Sequence, residues 1–440
     1  MAAEFRFPDG FLWGAATSSH QVEGKNTKND WWAWEQAGRV KASSGLACDQ
    51  YHRFRDDFDL AKQIGHTAHR LSIEWSRIEP RDGELDSEAI AHYQDVVRAL
   101  RERQLEPIVT LHHFTTPQWL AEQGGWADPR IVERFARYAQ RMAEALPEAR
   151  YWVTINEPMV YVWMHYLAGI GPPGAKDWSL GARVIEHLAR AHVAAYRAMH
   201  KAARRADRDV LVGVATHLQP LQPCRPWWPL DRGLTALVHR AYNLNFLDAV
   251  TEGRLHRVGL RPLTIPDGRD CMDFLGMHYY GRAFIRSSLF SGRSLANARC
   301  GTEHHPQVTE KNLLGWDVYA PGLAEIIRWG RRYQRPIFIT ENGICTDDDA
   351  QRERFIVEHV RAMAQAMQEG ADVRGYLYWS LLDNFEWAEG FRPRFGLIEV
   401  DYATQARRAR PSARRFAEIC RANRLLLDSR HETEDQRPKT

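Results

Sequence analysis

The sequence lacks the features that mark secreted and membrane-spanning proteins. Residues 1–9 have neither the basic start nor the apolar core of a signal peptide. No apolar stretch approaches the roughly 18 residues that a membrane-spanning helix needs. The six cysteines form no Cys-x-x-Cys pair, which argues against zinc and fits reduced thiols. We therefore expect a soluble, cytoplasmic protein.

An excess of charge is also missing. The 440 residues include 59 basic and 56 acidic side chains, which gives a net charge of +3. This balance does not indicate nucleic acid or an anionic membrane surface as a partner. His112 and His113 are not expected to share a metal ion, because neighbouring residues of a strand point to opposite faces. We expect no metal and no cofactor, and the sequence leaves the oligomeric state open.

What the sequence does contain is an alternation of strand-like and helix-like segments. The strand-like runs are 11–16, 68–73, 107–111, 151–155, 210–216, 273–277, 336–340 and 375–378. The segments with helical periodicity include 51–64, 87–103, 129–146, 181–205, 322–333 and 349–369. Alternation of this kind predicts an α/β protein in which parallel strands close into a single (β/α)8 TIM barrel. A doubly wound open sheet is the alternative.

The predicted barrel domain covers residues 1–427. Two long connections, 218–233 and 279–315, interrupt the alternation, and loops of this length are usually functional or mobile. We expect these long βα loops to shape a pocket. Residues 428–440 are too polar to bury a core, so we expect a disordered tail.

Two glutamates 184 residues apart each follow a strand-like apolar run. Glu157 stands in Thr-Ile-Asn-Glu-Pro, and Glu341 stands in Ile-Thr-Glu-Asn-Gly. Side chains at the carboxyl ends of barrel strands converge on one mouth. Other polar or aromatic residues in or just after the strand-like runs are Arg70, His113, Asn156, Tyr280 and Trp379. Because glycoside hydrolysis needs two carboxyl groups at one bond, this arrangement predicts a two-carboxylate hydrolase.

Two further motifs accompany the glutamates. Residues 7–24 read Phe-Pro-Asp-Gly-Phe-Leu-Trp-Gly-Ala-Ala-Thr-Ser-Ser-His-Gln-Val-Glu-Gly, and residues 379–391 read Trp-Ser-Leu-Leu-Asp-Asn-Phe-Glu-Trp-Ala-Glu-Gly-Phe. With all four motifs, the chain resembles glycoside hydrolase family 1, the β-glucosidase family of (β/α)8 barrels, from about residue 5 to residue 423. The resemblance implies a retaining mechanism in which Glu341 is the nucleophile and Glu157 is the acid/base.

The resemblance also implies which residues bind the substrate: Gln21, His113, Asn156, Trp316, Trp379, Glu386, Trp387 and Phe395. Trp316 matches a tryptophan that stacks on the leaving group, with core packing as the alternative. Asn156 is expected to bond the sugar 2-hydroxyl.

Simple electrostatics assigns the supporting roles. Arg70 and Tyr280 are expected to keep Glu341 ionised, and the charge of Glu341 should raise the pKa of Glu157 so that it starts protonated. Glu386 is expected to accept bonds from the sugar 4- and 6-hydroxyls and to repel a 6-phosphate. The family's phospho-glycosidases usually lack this glutamate.

Two positions depart from the family pattern. His278 stands where the family commonly has asparagine, and Phe114 stands where it often has tryptophan. The second change leaves the preference among gluco, galacto and fuco sugars open. We therefore expect a retaining exo-β-glycosidase for β-glycosides or short β-linked oligosaccharides, most of all a β-glucosidase with side activity on β-galactosides or β-fucosides. A 6-phospho-β-glycosidase, a catalytically silent sugar-binding barrel and a transglycosylase are the alternatives.

Overall fold

The computed structural model describes residues 3–257, 261–287 and 298–427. In these ranges the strands are β1 (Ala3–Arg6), β2 (Leu12–Ala16), β3 (Ala68–Ser72), β4 (Glu106–His112), β5 (Tyr151–Asn156), β6 (Leu211–His217), β7 (Leu221–Pro223), β8 (Glu252–Leu255), β9 (Leu263–Arg269), β10 (Phe274–Tyr279), β11 (Ala283–Ile285), β12 (Arg299–Cys300), β13 (Ile337–Asn342), β14 (Val373–Trp379), β15 (Ile398–Val400), β16 (Arg407–Ala409) and β17 (Arg424–Leu427). The predicted tail, 428–440, lies outside the described residues.

The α-helices in the same ranges are α1 (Ser19–Val22), α2 (Asp30–Gln36), α3 (Gln50–Gln63), α4 (Trp75–Ile78), α5 (Ser87–Glu102), α6 (Gln118–Glu122), α7 (Ile131–Ala145), α8 (Pro158–Val162), α9 (Trp178–Arg205), α10 (Pro229–His239), α11 (Asn245–Thr251), α12 (Pro321–Gly330), α13 (Asp349–Gln368) and α14 (Pro411–Ala422). Single turns of 3-10 helix are Gly125–Ala127, Thr302–His304, Arg331–Tyr333 and Trp387–Glu389, and π-helical turns are Trp163–Leu167 and Arg240–Leu244.

Eight strands close into a parallel barrel in the order β2, β3, β4, β5, β6, β10, β13, β14 and back to β2. Each strand therefore pairs with the next barrel strand along the chain, which confirms the predicted (β/α)8 fold. The bounds of all eight strand-like runs agree with the observed strands to within two residues. The open doubly wound sheet is excluded by the β14–β2 pairing.

The longer helices pack around the barrel through an apolar face. In α7, the buried side chains of Ile131, Phe135, Tyr138 and Met142 recur every three or four residues, as expected for a helix that packs on a sheet. Inside the barrel, a separate apolar cluster fills the space between the strands: Ala68, Ile108, Val153, Ala215, Phe274, Phe338 and Leu377. The barrel interior is therefore a packed core beneath the mouth.

Small sheets complete the structure. β1 pairs with β17 and joins the two ends of the described chain, while β7, β11 and β12 form a three-stranded sheet from the two long connections. That sheet supplies part of the pocket wall, as expected, although residues 288–297 of the second connection lie outside the described residues. None of the helices in the described ranges has the length and apolar character needed to cross a membrane.

Candidate active site

Glu157 directly follows strand β5 at the mouth of the barrel. Its backbone N–H donates to the carbonyl of Ala215 in β6 (2.7 Å), and Pro158 then begins α8. Glu157 has a φ of +44°, in the left-handed region that is costly for a residue with a side chain and that is often found at functional sites. The strand end and the helix start together fix this buried carboxyl group.

Glu341 lies inside β13, one residue before the strand ends. Its Oε1 accepts a hydrogen bond from Arg70 Nη1 (2.5 Å), and its Oε2 accepts one from the Tyr280 hydroxyl (2.7 Å). The register of β13 against β14 shifts between Ile339 and Asn342, and irregularities of this kind turn side chains toward a new direction. The predicted supporting residues Arg70 and Tyr280 therefore both contact Glu341.

The two carboxyl groups lie close together in one cavity. A carboxylate oxygen of Glu157, a carboxylate oxygen of Glu341 and a ring nitrogen of His278 all lie within 4.8 Å of one another. Both glutamates line a cavity of about 990 Å³. This spacing leaves the two carboxyl groups near enough to act on one glycosidic bond from opposite sides.

The electrostatic surroundings of the two glutamates differ. Burial raises the pKa of Glu157 well above its ordinary value, and the charges of Glu341 and Glu386 raise it further. Burial also raises the pKa of Glu341, but Arg70 and Tyr280 oppose that shift. From the sequence we expected the charge of Glu341 to raise the pKa of Glu157, whereas burial is the larger cause of the raised pKa. Glu157 is the group that holds its proton more strongly.

The cavity brings most of the predicted site residues together. The predicted residues that line it are Gln21, His113, Glu157, Tyr280, Trp316, Glu341, Trp379, Glu386, Trp387 and Phe395. Arg70 and Asn156 are fully buried and do not line the cavity. They lie beneath it, where Arg70 Nη2 donates to Asn156 Oδ1 (2.5 Å). The Nδ2 atom of Asn156 is buried and has no hydrogen-bond partner among the described residues.

Glu386 lies at one side of the cavity beside Gln21, whose Nε2 donates to Glu386 Oε2 (3.4 Å). Burial and the nearby charge of Glu341 raise the pKa of Glu386 to about 8, and the bond from Gln21 opposes the shift. The fraction of Glu386 that is ionised therefore increases as the pH rises through this value.

Aromatic rings form much of the wall. His113 stacks on Trp379 and on Trp387, with 5.9 Å and 6.2 Å between ring centroids. Trp316 is 38% exposed, which excludes core packing as its role. Phe114 is buried and packs against Trp387 at 5.3 Å between centroids. Since phenylalanine has no N–H, this position offers no hydrogen bond to a sugar hydroxyl.

Sequence reasoning missed two parts of the site. One is the apolar outer wall of the cavity, which includes Met159, Val160, Trp163, Met164, Leu167, Leu237, Val238 and Ala241 from α8, α10 and the π-helical turns. The second is His278, which contacts both glutamates. The only signal for it was the histidine in place of the family's asparagine. The outer wall carried no signal, because its residues look like ordinary helix core positions.

A closed (β/α)8 barrel whose mouth holds two buried glutamates this close together defines a glycoside hydrolase. The sequence model of glycosyl hydrolase family 1 matches residues 3–425, and the chain belongs to that family. Among curated relatives, β-glucosidase A of Thermotoga maritima is 30% identical over 96% of this chain and 99% of its own. The β-galactosidase of Pyrococcus woesei is 31% identical over 91% of this chain and 94% of its own. The solved β-glycosidase of Pyrococcus horikoshii is 37% identical, with a TM-score of 0.88 over 96% of both chains.

Proposed function

We propose that this family 1 enzyme is a retaining exo-β-glycosidase in which Glu341 is the nucleophile and Glu157 is the acid/base. The observation that carries the proposal is the separation of at most 4.8 Å between their nearest carboxylate oxygens. Inverting enzymes hold the two carboxyl groups about 6.5–9.5 Å apart to make room for a water molecule, whereas retaining enzymes hold them about 5–5.5 Å apart.

The reaction then takes two steps. Glu157 gives its proton to the leaving oxygen while Glu341 attacks the anomeric carbon, which forms a covalent glycosyl-enzyme. Esterification removes the charge of Glu341, so the pKa of Glu157 falls and Glu157 can accept a proton from water. Water attacks the anomeric carbon and releases Glu341. The higher pKa of Glu157 in the free enzyme supports this division of roles.

We propose that the sugar is bound by cavity-wall residues Gln21, His113, Trp379, Glu386 and Trp387, and that Trp316 and Phe395 contact the leaving group. We propose that Asn156, which lies beneath the cavity, bonds the sugar 2-hydroxyl through its unpartnered Nδ2. The enclosed polar part of the cavity favours one terminal sugar, hence exo action. β-Glucosides are the proposed substrates, with β-galactosides and β-fucosides as side substrates, because the relatives include a β-glucosidase and a β-galactosidase. Short β-linked oligosaccharides also fit the proposal.

A panel of 4-nitrophenyl β-glycosides that differ only in the sugar tests this specificity. Proton NMR of the first product tests the stereochemistry, since a retaining enzyme releases the β-anomer before mutarotation. An α-anomer as the first product would overturn the mechanism. Absence of hydrolysis would instead favour the silent sugar-binding barrel, which would not need to keep both glutamates.

The 6-phospho-β-glycosidase alternative predicts the opposite response to a charged substrate. Above pH 8, where Glu386 is ionised, we expect kcat/KM for 4-nitrophenyl β-glucoside to exceed that for its 6-phosphate by at least about 100-fold, because like charges placed together cost several kcal/mol. Since the pKa of Glu386 is about 8, deprotonation above this pH should increase the ratio. Kinetics of both substrates at several pH values measures this.

Glu386→Gln should lower the ratio of kcat/KM for 4-nitrophenyl β-glucoside to kcat/KM for its 6-phosphate. The substitution should also remove the rise of this ratio with pH. Glu399→Gln is the matched control, because Glu399 pairs with Arg408 and does not line the cavity. A ratio near one in the unaltered protein would support the phospho-glycosidase instead.

We also propose that residues 1–427 form the catalytic domain, because every proposed site residue lies within them. A chain that ends at Leu427 should therefore keep the kcat/KM of the full chain. We further propose a cytoplasmic location, supported by six free cysteines in the described parts of the chain.

A further inference from the structure

His278 lies between the two glutamates. Its Nδ1 is 2.7 Å from Glu157 Oε1 and 3.3 Å from Glu341 Oε2. On the other side of the ring, Nε2 is 3.2 Å from Arg70 Nη1. A guanidinium nitrogen can only donate, so Nε2 accepts and the ring proton is on Nδ1. The Nδ1–H group therefore points at the carboxylates.

The surroundings of His278 favour the neutral form of its ring. It is fully buried, and burial together with the charge of Arg70 holds the pKa of His278 well below its ordinary value. The rings of His113 and His217 add to this shift. A shift of register between Met277 and His278 in the β10–β13 pair sets the side chain in this position. His278 is thus a neutral donor in a fixed position.

We propose that His278 is a positioning residue that directs the acidic proton of Glu157 to Oε2 and then stabilises the Glu157 carboxylate in the second step. An oxygen that already accepts an N–H bond is the poorer site for a proton, so Oε2 carries it toward the leaving oxygen. Once Glu341 is esterified, the same N–H group bonds the ionised Glu157. This inference rests on the proposed function.

Two substitutions separate this role from simple packing. In His278→Asn, the amide Nδ2 takes the place of Nδ1 and keeps a donor, whereas His278→Leu has similar bulk and no donor. His278→Ala is a second variant without a donor, in case leucine disturbs folding. The charged and titratable groups around Glu157 stay the same in all variants: Glu341, Glu386, Arg70, Tyr242 and Tyr280.

The measurement is kcat and kcat/KM against pH for 4-nitrophenyl and 2,4-dinitrophenyl β-glucosides. Loss of the donor should raise the pKa of Glu157 and move the alkaline limb of kcat/KM to higher pH by about one unit. It should also move the acidic limb of kcat for the dinitrophenyl substrate, which reports the second step, to higher pH by a similar amount, because Glu157 must be ionised in that step. His278→Asn should stay within about threefold, with its limb unmoved.

Equal losses in His278→Asn and His278→Leu, with the alkaline limb in place, would overturn the inference and leave a packing role. Failure of the proposed function would look different, because the unaltered protein would then not hydrolyse either aryl glucoside.

An independent observation concerns a cluster away from the glutamates. The fold brings the sulfurs of Cys224 and Cys300 and a ring nitrogen of His305 within 4.8 Å of one another. Cys300 and His305 are close in the sequence, whereas Cys224 is distant from both. The N–H of Cys224 donates to the carbonyl of Ile285 in β11 (2.7 Å), while Cys300 in β12 pairs with Phe284 on the other edge of β11. One strand thus separates the two cysteines.

This geometry suits a metal ion better than a disulfide. Two strand spacings put the cysteine backbones about 9.5 Å apart, whereas a disulfide needs Cα atoms within about 7 Å. Two zinc–sulfur bonds of about 2.3 Å place their sulfurs about 3.8 Å apart. His305 is buried against Phe284, with 3.5 Å between ring centroids, and its Nε2 has no hydrogen-bond partner in the described parts of the chain. A buried polar atom without a partner is costly.

We infer that Cys224, Cys300 and His305 bind a thiolate-preferring cation such as Zn²⁺. Its remaining coordination position would be open to solvent, since both cysteines are only half-buried. The cation would join the residue after β7, strand β12 and the residue after the 3-10 turn Thr302–His304, all part of the cavity wall or adjacent to it.

Metal-free, reduced protein titrated with Zn²⁺ against a chromophoric chelator tests this inference. We expect one equivalent to bind, and we expect Cys224→Ser and Cys300→Ser each to weaken binding at least about tenfold. Cys271→Ser is the matched control, because Cys271 lies elsewhere and donates to the Asp267 carbonyl. Binding of less than one equivalent, or equal binding by the Cys224→Ser/Cys300→Ser double variant, would overturn the inference.

Discussion

Replacing Glu341 with glycine is expected to lower kcat/KM for 4-nitrophenyl β-glucoside by at least about 10⁴-fold, because the first covalent step loses its nucleophile. Added azide should restore turnover. The anion would enter the space next to Arg70 and Tyr280, which now hold Glu341, and attack the anomeric carbon from the same side. The product should be the α-glycosyl azide, which NMR identifies by the coupling constant of its anomeric proton.

Rescue by azide also serves as the folding control, since an unfolded variant would not form a stereochemically pure azide. Glu341→Gln gives a second comparison with nearly the same shape and no charge. A β-glycosyl azide from Glu341→Gly would mean that the nucleophile and the acid/base have been exchanged. Activity close to that of the unaltered protein would remove Glu341 from the mechanism.

The barrel was predictable because its signal is local. Each barrel strand is a short β-rich run followed by a helical segment, and α7 shows how plainly an apolar face appears in the sequence. Even helix bounds were nearly correct. The main difference is in α9, which begins at Trp178 because Asp177 accepts bonds from the N–H groups of Ser179 and Leu180. Asp177 lies before the apolar repeat that predicted the helix, so the repeat alone did not show where α9 begins.

Most residues of the site could be predicted from the sequence, but the contacts between them could not. The positions of Glu157 and Glu341 at strand ends predicted that both lie at the mouth of the barrel. Which carboxylate oxygen each neighbouring side chain contacts depends on register shifts in β10 and β13, and the sequence periodicity does not reveal these shifts. The contacts of His278 follow from the shift in β10, and the position of Asn156 follows from a separate shift between Val153 and Asn156 in the β5–β6 pair. The pKa of Glu386, raised to about 8, depends on burial by distant segments, which the local sequence does not encode.

Replacing the acid/base residue Glu157 should lower kcat/KM by a factor that depends on the leaving group. In Glu157→Ala, kcat/KM for 4-nitrophenyl β-glucoside should fall by about 10²- to 10⁴-fold, the usual contribution of general acid catalysis. For 2,4-dinitrophenyl β-glucoside it should fall much less, because this leaving group departs without a proton. Azide should then yield the β-glycosyl azide, since Glu341 first forms an α-linked intermediate that the anion attacks from the opposite face.

The pH dependence gives the same assignment by an independent route. Glu157 must be protonated for the first step, so activity is lost as the pH rises through its pKa, which burial and the charge of Glu341 raise well above the ordinary value. The alkaline limb of kcat/KM should therefore disappear in Glu157→Ala when the dinitrophenyl substrate is used. If the limb stays and the losses are equal for both leaving groups, another residue supplies the proton and Glu157 acts only on the shape of the cavity.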